Sequence, residues 1–373
     1  MIFISGCSDG PDSNNAAIDI PSLVGEFGVG HSTFTAIDAT RDNRMVPVDL
    51  WYPVDPEDET STPLTAYPLA AGINLSSDVA IENAKPTARE NLPLIIFSHG
   101  YGGINTASVV LMETLASHGF IVASGEHIGN SQSGNDDTFD QAAAKRVPDV
   151  TLLIDTLMSR SQTPDDAFYQ RINGNNVGVI GHSFGGMTAL GMAAGWAGAP
   201  PDNRVQAIVP ISAVIQADLQ SDERSGPNAG FTPIQIQSIT VPTLLLGGTE
   251  DINVFLENNN IGFQNLNNAP AAYQVDISGA NHTHFANVCD IGNLLIDLGI
   301  LQDTWPLIGA EELLEPYATT CTEAAFPIEE VVRLQNLYAV SFFRRHLLGE
   351  ESYAYYLSDS YAGREDAITF RSK

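Results

Sequence analysis

The sequence predicts an α/β protein whose central sheet is mainly parallel and flanked by helices on both faces. Short apolar, β-branched runs alternate along the chain with stretches whose apolar residues recur at helical spacing. The 373 residues are 43% hydrophobic, which is enough to fill a large core. Strands that are apolar throughout are typical of a sheet buried on both faces. Reactive groups are therefore expected in the loops at the carboxyl ends of these strands.

Two strands are predicted first, because residues 27–37 and 45–52 alternate apolar and polar side chains as an antiparallel pair does. A helix is predicted around Val150, whose apolar neighbours lie at the spacing of one buried face, namely Leu153, Ile154 and Leu157. The other predicted elements are strands at 94–97, 120–123, 177–180, 205–211, 243–246 and 273–277, and helices at 108–118, 187–196 and 329–348.

We expect residues 22–373 to form one domain, since no repeat or interior Pro/Gly/Ser linker divides them. The segments 212–240 and 286–326 do not follow the strand–helix alternation and are predicted insertions over the sheet edge or the pocket mouth. Residues 1–21 are predicted to be a truncated lipoprotein-like signal and a polar linker. An apolar residue and two small residues precede Cys7, which predicts lipidation of Cys7 and a membrane tether; the alternative is a chance match.

The other two of the three cysteines, Cys289 and Cys321, lie far from any metal-like spacing of Cys or His. In an exported protein this favours a structural disulfide over a metal site. Closing a loop of that length would stabilise the fold by roughly 3–4 kcal/mol if the unfolded chain loses the corresponding entropy.

The chain is strongly acidic, with 16 Lys and Arg against 45 Asp and Glu and a formal net charge of −29. Nucleic acid is excluded as an expected partner, because binding to a phosphate backbone needs the opposite charge. Attraction to an anionic membrane surface is disfavoured for the same reason. The charge is explained either by solubility alone or by adaptation to saline water. We expect a monomer located outside the cytoplasm, secreted or held at the outer surface of a bacterium.

A candidate nucleophile is Ser183, which stands in a G-x-S-x-G pattern at residues 181–185 between a predicted strand and a predicted helix. A serine hydroxyl needs a sharp turn to expose it and a base to take its proton. Small residues on both sides let such a turn close. The alternative is a glycine-rich packing turn with a passive serine.

Three of the eight histidines follow Ser183, in the order that a Ser, acid, His arrangement requires. His346 lies near the end of the last predicted helix, where a cation suits the helix dipole, and this favours a structural role. His282 and His284 both follow the strand at 273–277, and position alone does not separate them. Asp251, after the strand at 243–246, is favoured over Glu250 as the acid that orients the base.

A glycine-rich loop at residues 98–103 follows the predicted strand at 94–97. Its backbone N–H groups, together with the N–H of Phe184, could hold an oxyanion. The alternative, a phosphate loop, lacks the lysine that such a loop requires.

These elements, in this order, resemble the α/β-hydrolase superfamily. More narrowly, the chain resembles the platelet-activating-factor acetylhydrolase and dienelactone-hydrolase-like group, which is close to bacterial lipases and polyesterases. The resemblance extends over residues 25–350, and its blocks are DLWYP at 49–53, SHGYG at 98–102, LASHGF at 115–120, GEH at 125–127, GHSFGG at 181–186 and GANH at 279–282.

The resemblance implies an α/β-hydrolase fold, with Ser183 as nucleophile and His282 as base. It also implies that Tyr101 and Phe184 donate their backbone N–H groups to the oxyanion. The strand at 205–211, after which the animal acetylhydrolases carry their acid, is not followed by a carboxylate, so the acid is assigned to Asp251 as in bacterial relatives. Dienelactone hydrolases use a cysteine nucleophile, whereas this chain has Ser183.

The predicted function is therefore that of a serine carboxylic-ester hydrolase that forms an acyl-enzyme and uses no metal or organic cofactor. The expected substrates are small-molecule or polymeric esters, namely short- to medium-chain, lipid-derived or polyester-type esters. The alternative is a catalytically inactive binding protein of the same fold at the cell surface.

Overall fold

The computed structural model describes residues 20–56, 63–70, 72–221 and 226–373. Cys7 and almost all of the predicted signal and linker lie outside the described residues. Within the described ranges, eleven strands form one sheet in the order β11-β10-β9-β8-β7-β5-β6-β2-β1-β4-β3. The strands are β1 (Gly28–Asp38), β2 (Arg44–Val54), β3 (Leu64–Ala70), β4 (Ile73–Glu82), β5 (Leu92–Ser98), β6 (Ile121–Gly125), β7 (Ile172–His182), β8 (Val205–Ile211), β9 (Thr243–Gly248), β10 (Ala272–Ile277) and β11 (Ile368–Ser372).

Strands β5 to β10 run parallel, whereas β2 pairs antiparallel with both β1 and β6. The α-helices of the described residues are α1 (Val109–Ser117), α2 (Phe139–Gln162), α3 (Phe184–Ala194), α4 (Pro233–Gln237), α5 (Glu257–Asn265), α6 (Val288–Asp297), α7 (Leu314–Thr320), α8 (Ile328–Leu348) and α9 (Asp359–Ala362). The predicted fold class, a mostly parallel sheet flanked by helices, is confirmed.

Two apolar cores lie on the two faces of the sheet. One core joins buried side chains of α2 and α3, such as Leu153 and Leu190, to the sheet. The other joins α1 and α8, through side chains such as Leu115 and Phe342. Every residue of β5 is buried between these cores, which explains the unbroken apolar run at 94–97.

The predicted strands and long helices are present, with ends that differ by a few residues. The largest difference is at β7, which begins at Ile172 and not at residue 177; helix α3 begins at Phe184 and not at residue 187. Gly185 and Gly186 belong to the first turn of α3, where both pack directly against neighbouring backbone. No helix among the described residues is long and apolar enough to cross a membrane.

The segment 286–326 contains α6, α7 and short 3-10 helices around a small core of Leu295, Trp305 and Tyr317. A disulfide between Cys289 and Cys321 joins α6 to the end of α7. The predicted pairing of these two cysteines is therefore present in the structure. The other predicted insertion, 212–240, is described except for residues 222–225 and contains only the short helix α4.

Candidate active site

Ser183 occupies the sharp turn between β7 and α3, at the carboxyl edge of the parallel sheet. Its backbone has a φ of 57° and a ψ of −119°, which is unusual for a residue with a side chain. Its N–H donates to the carbonyl of Ile211 at the end of β8, at 2.8 Å. The neighbouring strand thus holds a strained conformation that lifts the serine out of the strand direction.

Two glycines make this turn fit against the loop that follows β5. A β-carbon at Gly185 would lie 1.7 Å from the carbonyl oxygen of Ser98, and one at Gly181 would lie 2.3 Å from the carbonyl oxygen of Gly185. Neither contact is tolerable, so only glycine fits at either position. The spacing G-x-S-x-G is therefore required by packing as well as by the turn.

Asp251 and His282 follow β9 and β10, the next two strands beyond β8 in the sheet, and they meet at the same edge as Ser183. The distance between His282 Nδ1 and Asp251 Oδ2 is 2.8 Å. The other oxygen of this carboxylate, Oδ1, accepts the backbone N–H groups of Asn253 and Val254 at 2.9 and 2.8 Å. Both oxygens are thus engaged, which fixes the carboxylate and orients the imidazole.

The environment keeps Asp251 ionised although the residue is buried. Burial raises the pKa of its carboxyl, but the hydrogen bond and charge of His282 and the Val254 N–H outweigh this, so that the pKa falls below its ordinary value. A carboxylate in this state can accept the Nδ1 proton of the base and stabilise an imidazolium.

His282 lies next to the serine turn. The centroid of its ring is 4.5 Å from that of His182, the residue before Ser183. Burial and the neighbouring His282 lower the pKa of His182 to about 3. His182 therefore stays neutral at physiological pH and adds no charge that would oppose protonation of His282.

His284 has a different environment from His282. It is buried, its Nδ1 accepts the backbone N–H of Asn281 at 3.0 Å, and its Nε2 donates to the carbonyl of Phe326 at 3.0 Å. Both ring nitrogens are thus used within the fold. The structure brings His282 to Asp251 and uses His284 to hold the loop.

The glycine-rich loop after β5 lies directly beside Ser183. A β-carbon at Gly100 would be 3.6 Å from the β-carbon of Ser183. Phe184 is the first residue of α3, so its N–H belongs to the helix N-terminus, where backbone N–H groups have no partner within the helix. The ring of Tyr101 meets the ring of Phe184 edge to face, with centroids 5.4 Å apart.

The sequence did not predict a buried polar network that lies under this loop. It contains Ser98, His127, Arg146 and Asp149, each of them buried. Arg146 lies four positions before Val150, and Asp149 lies on the same buried helix face. The signal that could have revealed them is a pair of charged residues on the predicted apolar face of α2. Within the described ranges, no three His, Cys, Asp or Glu side chains are placed to hold a metal ion.

Comparison with solved structures yields a ferulic acid esterase from Streptomyces cinnamoneus, which is 22% identical in sequence. The match has a TM-score of 0.60 and covers 87% of this chain and 91% of the esterase. This chain has the α/β-hydrolase fold. The α/β-hydrolase resemblance predicted from the sequence is thereby confirmed at the level of the fold.

Sequence comparisons give matches to shorter parts of this chain. A family model described as "Platelet-activating factor acetylhydrolase, isoform II" matches residues 67–165. The platelet-activating factor acetylhydrolase of Bos taurus is 46% identical over 63 residues, which are 17% of this chain and 14% of that protein. The Canis lupus familiaris protein of the same name is 48% identical over 56 residues, or 15% and 13%.

These sequence matches cover only a small part of the curated relatives. The family match includes the loop after β5 and helix α2, but it ends before Ser183, Asp251 and His282. The matches therefore leave the chemical roles of these three residues to be argued from their geometry.

Proposed function

We propose that this protein is a serine carboxylic-ester hydrolase with Ser183 as nucleophile, His282 as base and Asp251 as the orienting acid. The observation that carries the proposal is the His282–Asp251 hydrogen bond of 2.8 Å at the sheet edge where the strained turn exposes Ser183. Esterase and acetylhydrolase are also the activities named in the proteins to which the chain is similar.

In the proposed reaction, the Ser183 oxygen attacks the ester carbonyl while His282 takes the hydroxyl proton. The carbonyl π electrons move to oxygen and form a tetrahedral oxyanion, which then collapses and expels the alcohol with the proton returned by His282. Water, activated by the same histidine, cleaves the acyl-enzyme and releases the acid. Asp251 stays ionised throughout and stabilises the imidazolium.

The backbone N–H groups of Tyr101 and Phe184 are proposed to hold the oxyanion. Both residues flank the serine turn, one on the loop after β5 and one at the start of α3. Removing one such donor typically costs on the order of 10²–10³ in turnover.

The proposed substrates are short- to medium-chain esters with an apolar acyl or aromatic part, including lipid-derived or polyester-type esters. Tyr101 and Phe139 are half-buried and stack at 6.3 Å beside the proposed oxyanion site, which supports an apolar acyl group there. A monomer, a tether through Cys7 and a location outside the cytoplasm also remain proposals. The disulfide supports the location, since such bonds persist in oxidising compartments.

The test is hydrolysis of a series of soluble p-nitrophenyl esters of increasing acyl length by the wild-type chain, Ser183→Ala, His282→Ala and His284→Gln. We expect turnover by the wild type, its loss in the first two variants, and its retention in His284→Gln. Equal turnover in wild type and Ser183→Ala, or no turnover in either, contradicts the proposal and favours a binding protein. Loss of turnover in the His284 variant alone contradicts the assignment of the base.

A further inference from the structure

Arg146 is a fully buried cation directly under the proposed oxyanion loop. Its guanidinium donates to the carbonyls of His99 and Gly100, to Ser98 Oγ at 3.2 Å and to Asn130 Oδ1 at 2.6 Å. A buried guanidinium is costly unless it is hydrogen-bonded, and both Nη groups of Arg146 are engaged here, whereas its Nε has no hydrogen-bond partner among the described residues. Arg146 is therefore a built contact between α2 and the loop after β5, and the reaction proposed above gives it no role.

The contact with Gly100 bears on the oxyanion site because of the geometry of one peptide. The carbonyl of Gly100 and the N–H of Tyr101 belong to the same peptide unit, and in a trans peptide these two groups point in opposite directions. No cis peptide occurs among the described residues. A donor that fixes the Gly100 carbonyl on the α2 side therefore fixes the direction of the Tyr101 N–H.

Three donors converge on this carbonyl oxygen. Arg146 Nη2 lies at 3.0 Å, His99 Nδ1 at 2.8 Å and the backbone N–H of Gly103 at 3.3 Å. His99 acts here as a neutral donor, since burial and the neighbouring Arg146 hold the pKa of His99 well below its ordinary value. A carbonyl that accepts a charged donor also polarises its peptide and makes the N–H at the other end a stronger donor.

The charge of Arg146 is not cancelled by direct contact with an acid. No carboxylate oxygen of the described residues pairs with Arg146, and the nearest acid in the network, Asp149, is reached only through intervening side chains. His127 donates from Nδ1 to Asp149 at 3.0 Å, and Ser98 Oγ lies 3.0 Å from His127 Nε2.

Asp149 is itself bound by Arg41 and Arg44. Two arginines thus share the charge of this carboxylate. The direct contacts of the Arg146 guanidinium are instead with the loop carbonyls and with Ser98 and Asn130.

The same guanidinium also contacts the residue of the second proposed donor. The Arg146 Cζ atom lies 4.6 Å from the centroid of the Phe184 ring. One buried cation thus touches both the Gly100–Tyr101 peptide and Phe184.

We propose that Arg146 is a positioning residue of the oxyanion site, which aims and polarises the Tyr101 N–H by holding the carbonyl of Gly100. The inference rests on the proposed ester hydrolysis. It predicts a specific loss: transition-state binding should weaken while substrate binding is kept, because the oxyanion forms only after attack.

The test compares wild type, Arg146→Lys, Arg146→Met and the matched control Arg160→Met. Arg160 is another α2 arginine that stacks on an aromatic ring, Phe168, at 4.7 Å, but it is not among the residues that contact the loop. The readouts are kcat and KM for a soluble p-nitrophenyl ester and the inhibition constant of a trifluoromethyl ketone, whose adduct with Ser183 carries an alkoxide at the oxyanion position.

We expect Arg146→Met to lower kcat about 100-fold with KM changed less than about threefold, and to weaken the ketone by a factor similar to that in kcat/KM. Arg146→Lys should fall in between, because one ammonium cannot span both carbonyls as the planar guanidinium does. Arg160→Met should keep the kcat and the inhibition constant of the wild type.

Wild-type kcat and inhibition in both Arg146 variants, or a rise in KM that accounts for the whole loss, would overturn the positioning role. If Arg146→Met does not fold, Arg146→Lys decides alone, and a wild-type kcat in that variant overturns the proposal. A wild-type chain without esterase activity overturns the proposed function, and the Arg146 role with it, whereas an active wild type with unaffected variants overturns only the latter.

Discussion

Two neighbouring acids, Glu250 and Asp251, lie in the same turn after β9 but in different environments. Asp251 is 5% exposed and uses both carboxylate oxygens, one of them on His282, whereas Glu250 is exposed. A carboxylate that orients a histidine base contributes on the order of 10⁴ to turnover in a comparable serine-protease triad.

Replacing Asp251 by Asn should therefore lower kcat for a p-nitrophenyl ester by about 10³–10⁴. The amide leaves the imidazole without an anion to orient its Nδ1–H. Glu250→Gln is the matched control and should stay within about twofold. The opposite ranking of these two variants in a steady-state assay would show that the acid has been misassigned.

His346 packs within the fold, in a structural role as expected, but the physical reason differs from the one that the sequence indicated. The end of helix α8 favoured a cation there, but the ring packs against Phe342 at 4.9 Å and Tyr273 at 5.8 Å. Burial, followed by the charge of Arg345, lowers the pKa of His346 to about 4. The imidazole is therefore neutral in the folded protein at physiological pH, and its role is packing and not interaction with the helix dipole.

The lowered pKa of His346 predicts a pH-dependent effect on stability. Above pH about 6.5 the side chain is neutral in both the folded and the unfolded chain. Between pH about 6.5 and 4 only the unfolded chain binds the proton, so the wild type loses stability as the pH falls through this window. His346→Leu removes this loss.

Urea unfolding at pH 7 and pH 5 measures the effect. Relative to wild type, His346→Leu should gain about 1 kcal/mol more at pH 5 than at pH 7, a figure reduced to allow for the partial exposure of the ring. A gain that is the same at both pH values would show that His346 titrates normally in the folded state.

At the scale of elements, the disulfide-closed segment 286–326 holds the loop that carries His282. Thr283 Oγ1 lies 2.5 Å from Thr320 Oγ1, Asn281 donates from Nδ2 to the Thr319 carbonyl at 3.2 Å, and His284 bonds the Phe326 carbonyl. Thr320 is adjacent to Cys321 in the chain. The disulfide between α6 and α7 thus lies one residue from Thr320, whose contact with Thr283 helps to place His282.

Replacing both Cys289 and Cys321 by Ser should lower the free energy of unfolding by roughly 3–4 kcal/mol, because the cysteines are 32 positions apart and the open chain regains the entropy of that loop. It should also lower kcat, since the histidine loop loses part of its support. Thermal unfolding and ester turnover measure the two effects. Thr320→Val tests the contact separately: unchanged turnover there and in the double variant would show that the loop is held without this segment.

The sequence predicted the apolar elements well and missed the polar or irregular ones. Strands such as β5 and β8 are buried on both faces, so their composition alone reveals them. Helix α5 is not predicted because it is rich in asparagine. Its Asn258 is buried, and the Oδ1 of that residue accepts the N–H groups of Ile215 and Gln216. Such a role depends on tertiary contacts that no local pattern contains.

In the candidate active site, too, some residues could be predicted from the sequence and others could not. Ser183, Asp251 and His282 could be proposed because each follows a strand in the required order, and the structure places Asp251 and His282 in contact. The choice of His282 over His284 needed the resemblance, since both share one loop. Arg146 could not be assigned, because its partners are backbone carbonyls of a loop that lies far away in sequence.

At the scale of the whole molecule, the net charge of −29 predicts a salt dependence of stability. Repulsion between surface carboxylates opposes the compact state, and raising NaCl from about 10 mM to about 1 M shortens the Debye length from roughly 30 to 3 Å. The melting temperature at pH 7 should therefore rise with salt.

The same titration near pH 4.3, where the sequence has no net charge, is the internal control and should show a much smaller rise. Calorimetric scans at both pH values measure this. A melting temperature at pH 7 that is independent of salt would show that the acidic groups do not repel one another appreciably in the folded state.

The central claim is that Ser183 is a nucleophile activated by His282, and covalent labelling with a p-nitrophenyl alkylphosphonate tests it most directly. We predict one phosphonyl group per wild-type chain, located by peptide mass spectrometry on Ser183, with labelling slowed by at least about 100-fold in His282→Ala. Labelling at another residue, or equal labelling rates in wild type and His282→Ala, would contradict the account.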